Sequence, residues 1–539
     1  MNQNVKPAAT ELSDADEAQL NAEAFEQLLK ELRSRRAASR RGGSDAARQK
    51  HLDRGKMLVR ERIDALIDPG SPFLELADLA GAELYGDRVP PGAGIVTGVG
   101  MIAGQACMII ANDATVKGGT YFGMTCRKHV RAQKFAWTNR LPCVTLVDSG
   151  GAFLPDQANI FPDEGLFGSI FHNQVGMSAD GIPQIAVVLG ACTAGGAYIP
   201  ALCDEIVIVR GQGFMYLAGP QLVQAATGEK VDPEALGGAE MHSQVSGVTD
   251  HMAENDAHAL AITRDIVAEL PARPAPIRPR TSPEAPALPP GAMHGLINRD
   301  PRRPNDTREI LRGILDGGDL QEFKAGYGKT LITGFARIGG YQVGVLANNG
   351  VLFTESANKA THFIQMCCQR NIPLVFFADV SGFMVGREAE VNGIAKAGAK
   401  FITAMSSATV PKYTVIIGGS YGAGYLAMCG RAFRPNAMFM WPNGRAAIMG
   451  PDQAATTLAL VKRQGFESQG RDWTAEEEEA FKAPIRQEYE TFASAFNFAR
   501  NLWVDGVIEP DETAPVLSLL LEISASVPAG PTRFGVFRT

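Results

Sequence analysis

Short apolar runs alternate with amphipathic segments along most of the chain. Strands that alternate with helices in this way are typical of βαβ units and a largely parallel sheet. The predicted strands cover 95–99, 106–111, 143–147 and 185–189, and the predicted helices cover 125–139 and 169–178. The pattern therefore predicts an α/β fold.

The same order of segments occurs twice. Residues 183–196 match residues 411–424 at an offset of 228. The other matching pairs are Val96-Thr-Gly98 with Ile332-Thr-Gly334, Ala111-Asn112 with Ala347-Asn348, and Ser149-Gly150 with Ser381-Gly382. Internal repeats of this kind indicate a duplicated domain. A chain of 539 residues is also longer than a single core, which stops growing near about 250–300 residues.

Proline and charge mark the segments outside the repeats. Eight prolines lie between Leu270 and Gly295, and this composition is typical of a linker. We divide the chain into an N-terminal tail and helix (1–53), a first domain (54–270), a linker (271–300) and a second domain (301–539).

Residues 1–20 are predicted to be disordered, 21–51 to be helical, and 464–490 to be a charged helical insertion. The basic run that contains Arg36 predicts either a solvated helix face or a contact with acidic groups.

A glycine-rich turn follows the strand at 185–189 and is repeated after its counterpart. A strand that ends in such a turn and a helix start leaves backbone N–H groups aimed at one point. These donors could hold a phosphate or the oxyanion of an enolate, and the alternative is a tight turn without chemistry. We expect the donors to be Gly195 and Gly196 in the first copy, and Ala423 and Gly424 in the second.

Composition excludes several classes of function. The net charge of −7 disfavours non-specific nucleic-acid binding. The eight cysteines contain no C-x-x-C pair, so we expect reduced thiols, no bound metal, and a cytoplasmic or matrix-like compartment. The N-terminus lacks the apolar region of a secretory signal, and we expect no membrane span, because no uncharged apolar run reaches about 18 residues.

Several motifs together resemble the carboxyltransferase (β) subunits of biotin-dependent acyl-CoA carboxylases. They include Val116-Lys-Gly-Gly-Thr-Tyr121, Asp148-Ser-Gly-Gly-Ala152, Cys192-Thr-Ala-Gly-Gly-Ala-Tyr198, Asn348-Asn-Gly-Val-Leu-Phe353 and Gly418-Gly-Ser-Tyr-Gly-Ala-Gly424. The resemblance extends from about Arg54 to the C-terminus. It is closest to the branch that contains the 3-methylcrotonyl-CoA and geranyl-CoA carboxylases.

The resemblance implies two tandem crotonase-like β/α superhelix domains, of which the first binds acyl-CoA and the second binds biotin. It also implies a homo-hexameric core, sites built between two subunits, and biotin held covalently on a partner α subunit that carries the biotin carboxylase. The acyl-CoA residues would be Lys117, Gly118, Gly119, Phe122, Gly123, Arg127, Lys128, Arg131, Gly150, Gly151 and Ala152. The biotin residues would be Gly382, Phe383, Met384, Val385, Tyr421 and Gly422.

In such an enzyme the first turn would stabilise a dienolate oxygen and the second would hold the ureido oxygen of biotin. Biotin's own nitrogen would take the γ-proton, so no side-chain base is expected, and His129, His242 and His362 are interpreted as surface or helix residues. Three positions have glycine where the methylcrotonyl pattern has a larger residue: Gly123, Gly424 and Gly444. Room near the pocket would suit a longer acyl chain, so we favour geranyl-CoA over 3-methylcrotonyl-CoA.

Three alternatives stay open. A hydratase, isomerase or decarboxylase of the crotonase type would share the turn, but it usually has one copy and a carboxylate base. The carboxyltransferase subunit of a membrane decarboxylase is a nearer alternative. A non-catalytic scaffold that only carries a partner chain is the third.

Overall fold

The computed structural model describes residues 13–468 and 471–539. The first repeat contains β1 (Leu74–Leu76), β2 (Ile95–Ile102), β3 (Gln105–Asn112), β4 (Cys143–Ser149), β5 (Gln184–Thr193), β6 (Glu205–Val209), β7 (Phe214–Tyr216) and β8 (His251–Ala253). Its helices are α1 (Asp14–Arg41), α2 (Asp45–Leu52), α3 (Val59–Leu66), α4 (Gly123–Asn139), α5 (Phe167–Ala179), α6 (Tyr198–Ala201), α7 (Pro220–Thr227), α8 (Pro233–Gly237), α9 (Ala239–Met241) and α10 (Asp256–Glu269).

The second half repeats this order. Its strands are β9 (Gln321–Glu322), β10 (Leu331–Ile338), β11 (Tyr341–Asn348), β12 (Leu374–Val380), β13 (Lys412–Tyr421), β14 (Ala437–Met440), β15 (Arg445–Ala447) and β16 (Gly506–Val507). The helices are α11 (Ala292–Leu296), α12 (Thr307–Arg312), α13 (Thr354–Gln369), α14 (Arg387–Val391), α15 (Ile394–Ser407), α16 (Gly422–Ala427), α17 (Pro451–Ser468), α18 (Ala475–Ala493), α19 (Ala495–Arg500) and α20 (Thr513–Ala525).

Each half forms an eight-stranded sheet, and the two strand orders are equivalent. The orders are β1-β2-β3-β4-β5-β6-β8, with β7 paired to β5, and β9-β10-β11-β12-β13-β14-β16, with β15 paired to β13. The strands from β3 to β6 are parallel, whereas β1, β2 and β3 pair antiparallel. Residues of β3, β4 and β5 are buried almost without interruption, as expected for parallel strands covered on both faces.

The central strand of each sheet pairs with two different strands along its length. Residues 185–188 of β5 pair with β6, whereas 191–193 pair with β7. In the second half, 413–416 of β13 pair with β14 and 419–421 pair with β15. The carboxyl end of the central strand therefore projects past the main sheet, and it carries the glycine-rich turn there.

Helix α1 begins earlier than the predicted helix at 21–51, and that prediction is wrong about one continuous helix, because the chain breaks at Gly42–Ser44 between α1 and α2. The Ser13 side chain caps the N-terminus of α1 by accepting a hydrogen bond from Asp16 N–H. Acidic residues in the first turn interact favourably with the positive end of the helix dipole. The prediction of disorder is therefore wrong for Asp14–Leu20, and residues 1–12 lie outside the described part of the chain. Phe25, Leu29 and Leu32 form the buried stripe.

The proline-rich linker is fastened to the second half by two arginines. Arg273 donates to the Ile523 carbonyl at 2.7 Å. The buried Arg278 donates to the Ser524 carbonyl at 2.8 Å and to Asn371 Oδ1 at 2.9 Å. Apart from α11, residues 271–300 form no helix or strand, and these bonds hold the segment against α20. It is therefore a packed connection and not a free tether.

Asp505 joins the two repeats. Its buried carboxylate accepts two hydrogen bonds from Arg131 of α4, at 2.7 and 2.8 Å, and two from Arg431, at 3.0 and 3.2 Å. A fifth bond, at 2.8 Å, comes from Met438 N–H. The two guanidinium groups hold the pKa of Asp505 well below its usual range, although burial alone would raise it.

No helix in the described part of the chain is both long and apolar enough to cross a bilayer.

We expect Asp505→Asn to destabilise the protein by about 3–5 kcal/mol at neutral pH, because two half-buried guanidinium groups lose their buried counter-charge. Since the folded pKa is depressed, the carboxylate stabilises the fold above the unfolded pKa, and this contribution is lost as the pH falls below about 4. Urea unfolding at pH 7 and at pH 3 measures both effects. The difference in the free energy of unfolding between D505N and the parent should be smaller at pH 3 than at pH 7. Asp300→Asn is the control: Asp300 forms an ion pair with Arg302 at the surface, and its loss should leave the urea midpoint unchanged. Equal midpoints for D505N and the parent at pH 7 would contradict this account.

Candidate functional site

The two glycine-rich turns have the same backbone conformation. Thr193 has φ −115° and ψ 149°, and Tyr421 has φ −118° and ψ 145°. The next residues, Ala194 and Gly422, both enter the left-handed region, at φ 51° and 53°. Alanine there carries a strain of about 1–2 kcal/mol. The 228-residue offset therefore describes equivalent positions, and it aligns Gly195 and Gly196 with Ala423 and Gly424.

A short helix follows each turn. In the first half a 3₁₀ turn, Ala194–Ala197, leads into α6, which is one turn long. In the second half α16 starts directly at Gly422. The first N–H groups of a helix have no partner within it, so both turns present backbone donors at the carboxyl end of the central strand.

Three turns of the first half meet with their backbones in contact. Gly150 N–H donates to the Gly118 carbonyl at 2.9 Å, and Tyr121 N–H donates to the Gly151 carbonyl at 2.8 Å. A Cβ atom on Gly119 would lie 2.0 Å from the Asp148 carbonyl oxygen, and one on Gly151 would lie 3.1 Å from the Thr193 carbonyl oxygen. A larger residue cannot fit at Gly119, and Gly151 is both tightly packed and in the left-handed region at φ 87°, so these two glycines are required by the packing of the turns.

The second half repeats this contact and corrects one alignment. Leu352 N–H donates to the Gly382 carbonyl at 3.0 Å, as Tyr121 N–H does to the Gly151 carbonyl. Gly151 is therefore the counterpart of Gly382. The predicted match of Ser149-Gly150 with Ser381-Gly382 is wrong by one residue, because a run of two glycines and a serine can be aligned in two ways.

The expected biotin residues line the edge of the second turn. Phe383 packs near Gly398, on which a Cβ atom would lie 3.3 Å from the ring. Met384 and Val385 are exposed, and Tyr421 and Gly422 are half-buried. Among the expected acyl-CoA residues, Lys117, Gly118, Gly150 and Ala152 are also exposed, whereas Gly119, Gly151 and Phe122 are buried.

Two of the cations expected to bind coenzyme phosphates are used inside the subunit. Lys128 is buried and donates to the carbonyls of Gly92, at 3.1 Å, and Ile95, at 2.7 Å; burial lowers its pKa to about 8. Arg131 is paired with Asp505. Neither residue is available to bind a phosphate group, because the Lys128 ammonium and the Arg131 guanidinium are both engaged by groups of the same chain. Arg127 remains exposed on the same helix.

The basic run of α1 also pairs within the subunit. Arg36 contacts Asp78, at 3.2 Å, and Glu512, at 3.1 Å, and Arg33 contacts Glu509 at 2.7 Å. Of the two alternatives for this basic run, Arg36 makes the contact with acidic groups, and these groups are carboxylates of the same chain. These pairs attach α1 to both repeats.

A cleft of about 1400 Å³ lies beside Lys117 and Gly118, between α1, α2 and the first-half turns. Lys50, Arg54 and Lys117 line it and form no ion pair with any described side chain. Neither Lys50 nor Arg54 is predicted as a site residue from the sequence, because both are separated in sequence from every glycine-rich turn.

The glycines at 123, 424 and 444 do not enlarge a pocket. A Cβ atom would lie 2.8 Å from Asn159 Cβ at Gly123, 2.9 Å from Val380 Cγ1 at Gly424, and 2.9 Å from the Trp441 carbonyl at Gly444. The subunit's own atoms therefore occupy the space that the missing side chains leave. The argument that these glycines make room for a longer acyl chain does not hold.

Equivalent aspartates support the turns but have different partners. Asp148 is buried and contacts Lys56 Nζ at 2.7 Å and Arg62 Nη1 at 3.2 Å. Its counterpart Asp379 accepts from Gly419 N–H at 2.9 Å and from Asn305 Nδ2 at 2.8 Å. Burial raises the pKa of Asp379. Sequence reasoning missed both residues as supports, because their partners come from distant segments.

Histidine does not supply a base at these turns. His129 was expected at the surface or on a helix; it lies on α4 but is fully buried, beside Tyr121 Oη at 3.0 Å from Nδ1. Burial lowers its pKa to about 3, so the ring is neutral at physiological pH. Within the described residues no group of three or more His, Cys, Asp or Glu side chains is arranged to hold a metal ion.

Comparison with known proteins identifies the family of this chain. The carboxyl transferase domain model matches residues 50–534. The biotin-dependent 3-methylcrotonyl-coenzyme A carboxylase β1 subunit of Mycobacterium tuberculosis is 54% identical over 518 residues, covering 96% of this chain and 98% of that protein. The mitochondrial methylcrotonoyl-CoA carboxylase β chain of Arabidopsis thaliana is 52% identical over 524 residues, covering 96% and 89%.

A solved structure matches the whole chain. The geranyl-CoA carboxylase β subunit of P. aeruginosa superposes with a TM-score of 0.84 at 39% identity, covering 100% of this chain and 99% of that one. The two tandem crotonase-like domains predicted from the sequence are confirmed. The chain therefore belongs to the carboxyl transferase domain family, as the carboxyltransferase component of a biotin-dependent acyl-CoA carboxylase.

Proposed function

We propose that this chain transfers a carboxyl group to the γ-carbon of a β-methyl-branched, α,β-unsaturated acyl-CoA. The observation that carries the proposal is the pair of turns with one backbone conformation at Ala194 and Gly422. Such a transfer develops negative charge on two oxygens, one on each reactant, and needs two sets of preorganised donors. The duplicated turn would supply them.

The first turn would bind the acyl thioester. Removing the γ-proton moves negative charge to the thioester oxygen, and we assign its stabilisation to the N–H groups of Gly195 and Gly196. A single donor of this kind contributes about 10²–10³ in rate. Ala423 and Gly424 would hold the ureido oxygen at the second turn. Biotin, carried on a partner α subunit, supplies the carboxyl group and the nitrogen that accepts the proton.

The coenzyme would lie in the cleft beside Lys117. The cleft is large enough for a nucleotide, and Lys50, Arg54 and Lys117 line it. Unpaired cations at the edge of a concave surface favour phosphate groups. The left-handed turn at Lys117–Gly119 would then lead from the phosphates to the acyl site.

Both turns stand on exposed apolar faces, which supports a site formed between subunits. Leu154, Tyr198 and Leu217 of the first half are 77, 45 and 59% exposed. Their counterparts in the repeat, Val385, Leu426 and Ile448, are 81, 38 and 77% exposed. Large apolar side chains exposed at equivalent positions in both halves favour an interaction surface. We infer that the first-half face of one subunit covers the second-half face of another, within a hexameric core.

The eight cysteines are all free thiols, which supports a reducing compartment such as the bacterial cytoplasm or a mitochondrial matrix. Burial raises the pKa of all eight, to about 12 at Cys126 and Cys143. The thiols are therefore unreactive at neutral pH.

We favour 3-methylcrotonyl-CoA as the substrate. The glycine argument for a longer chain fails on packing, and relatives that are 50–54% identical carry the methylcrotonyl name. Geranyl-CoA is the second candidate, because the geranyl-CoA carboxylase β subunit superposes along the whole chain.

The substrate is tested with the chain assembled with a matching biotinylated α subunit. ATP- and bicarbonate-dependent carboxylation is measured with 3-methylcrotonyl-CoA, geranyl-CoA, propionyl-CoA and acetyl-CoA. We expect kcat/KM for 3-methylcrotonyl-CoA to be at least tenfold above the others. A higher value for geranyl-CoA would overturn the substrate choice and keep the reaction, whereas propionyl-CoA as the best substrate would overturn the proposed γ-carbon chemistry.

Gly196→Ala tests the first turn. A Cβ atom there meets nothing closer than 3.7 Å, so the subunit should fold normally, with a methyl group beside the proposed donors. We expect kcat to fall about 10²-fold, because displacements near 1 Å at reacting groups cost that much. Gly465→Ala is the matched control, since its Cβ meets nothing within 4 Å on α17. Parental kcat in a folded G196A enzyme would show that this turn does not hold the oxyanion.

Val385→Asp tests the apolar face. A charge at the centre of a buried interface is costly, so we expect smaller assemblies and loss of carboxylation, with unchanged circular dichroism. Leu154→Asp should act in the same way on the other half. Val536→Asp is the control, because Val536 is 98% exposed on the C-terminal segment. Ultracentrifugation measures the assembly, and a parental mass for both V385D and L154D would contradict the proposed interface.

A further inference from the structure

Lys56 lies in the loop between α2 and α3 and reaches the carboxyl edge of the first-half sheet. Its ammonium contacts Asp148 Oδ2 at 2.7 Å, and the two side chains are only 9% and 7% exposed. A lysine and a carboxylate are costly to withdraw from water, even as a pair. Lys56 is not part of the wall of the cleft in which we place the coenzyme. The pair therefore acts inside the subunit, on Asp148.

The strand ladder does not fix Asp148. Val147 of β4 pairs with Val188 of β5, whereas the next pair is Ser149 with Cys192. Residues 189–191 of β5 thus lie across from Asp148 alone. An irregularity of this kind leaves residues unpaired and interrupts the ladder. The position of the two strands at this point therefore depends on the side-chain contacts of Asp148.

Asp148 touches the backbone on both sides of the first turn. A Cβ atom on Gly190 would lie 1.8 Å from Asp148 Oδ1, so the carboxylate rests directly against β5. A Cβ atom on Gly119 would lie 2.0 Å from the Asp148 carbonyl oxygen. The carbonyl oxygen of the next residue, Ser149, lies 3.9 Å from the Cβ position of Gly196. A displacement of Asp148 would therefore move the backbone beside a proposed oxyanion donor.

The loop that carries Lys56 is itself held by a buried network. Met57 N–H donates to Asp256 Oδ2 at 3.0 Å, and Arg62 Nε donates to the same oxygen at 2.8 Å. Arg62 also donates from Nη1 to Asp148 Oδ2 at 3.2 Å. Arg62 and Asp256 are 1% and 2% exposed. Groups that support a reaction site need to be held within about 0.5 Å, and a buried network of this kind provides such support.

The second half shows what the aspartate requires. The β12–β13 ladder is interrupted at Asp379, between Ala378 and Val380, as the first-half ladder is at Asp148. Asp379 accepts from Gly419 N–H at 2.9 Å and from Asn305 Nδ2 at 2.8 Å, and no cation of the described chain pairs with it. In the first half Lys56 and Arg62 are the only hydrogen-bond donors to the Asp148 carboxylate among the described residues. The common requirement is a donor, which can be charged or neutral.

We propose that Lys56 is a positioning residue for the carboxyl transfer. Its ammonium holds the Asp148 carboxylate against Gly190, and this contact fixes the backbone from which Gly195 and Gly196 present their N–H groups. Lys56 touches neither reactant and acts through Asp148. The inference rests on the proposed function of the first turn.

The experiment compares two substitutions in the assembled carboxylase, with the best acyl-CoA substrate of the parent. Lys56→Met removes the donor, and we expect kcat to fall about tenfold or more, because small displacements at reacting groups are costly. KM should change less than threefold, since Lys56 is outside the coenzyme cleft. Lys56→Gln keeps an amide donor, as Asn305 provides at Asp379, and should keep kcat within threefold of the parent. A kcat for K56M within threefold of the parent, or an equal loss in K56Q, would overturn the proposal.

Arg264→Met is the control for a general loss of stability. Arg264 forms a half-buried pair with Asp68, at 2.8 Å, and Asp68 accepts from Ala103 and Gly104 N–H, at the opposite edge of the same sheet. R264M should lower the urea midpoint and keep the parental kcat. A loss of kcat in R264M equal to that in K56M would show that destabilisation alone explains the result, and would overturn the role of Lys56.

The double variant Lys56→Met/Asp148→Asn decides the outcome if K56M does not assemble. It removes both charges together and so leaves no carboxylate without its partner. We expect the same loss of kcat, because methionine cannot donate to residue 148, and a parental kcat would overturn the proposal. Absence of acyl-CoA carboxylation by the parent enzyme would overturn the proposed function and this inference with it. An active parent with unchanged variants would overturn the role of Lys56 alone.

Discussion

The structure of the first half depends on backbone-to-backbone packing of three turns at the carboxyl edge of the sheet. Gly150 N–H bonds to the Gly118 carbonyl, and any side chain at Gly119 would overlap the Asp148 carbonyl. Only glycine permits this approach, because a Cβ atom needs more than 3 Å from its neighbours. The packing in turn fixes where β5 ends and where the N–H groups after Ala194 point. On the proposed function, the position of the oxyanion donors therefore depends on these close contacts between main chains.

A buried aspartate lies beside the turns in each half, and its charge is compensated differently in the two halves. In the first half Lys56 and Arg62 neutralise Asp148. In the second half amide donors replace the cations at Asp379, and burial raises the pKa of that carboxyl. The aspartate is present in both copies. Asp379 accepts a hydrogen bond from the central strand β13, and Asp148 lies against the central strand β5. The partners differ because Lys56 and Arg62 come from α3 and the segment before it, whereas Asn305 comes from the segment before α12.

Local patterns in the sequence predicted the strands, the duplication and the two turns, because each depends on residues close together in the chain. The 228-residue offset aligned Gly196 with Gly424 correctly. Contacts between distant segments could not be predicted in the same way. Nothing near Lys128 or Arg131 shows that one donates to buried carbonyls and the other pairs with Asp505, 374 residues away. The glycines at 123, 424 and 444 look like open space in a sequence, and only the positions of Asn159, Val380 and Trp441 show that they are filled.

The equivalence of the two apolar faces limits how subunits can assemble. A pairing of two first-half faces would cover the same kind of apolar surface, but it would bring together two turns of the same role. Carboxyl transfer on the proposed function needs one acyl site opposite one biotin site. A two-fold arrangement in which each first half covers the partner's second half satisfies both requirements, since one isologous contact closes two sites at once. Because Val385 and Leu154 occupy corresponding positions in the repeat, the same surface shape can serve on both sides of that contact.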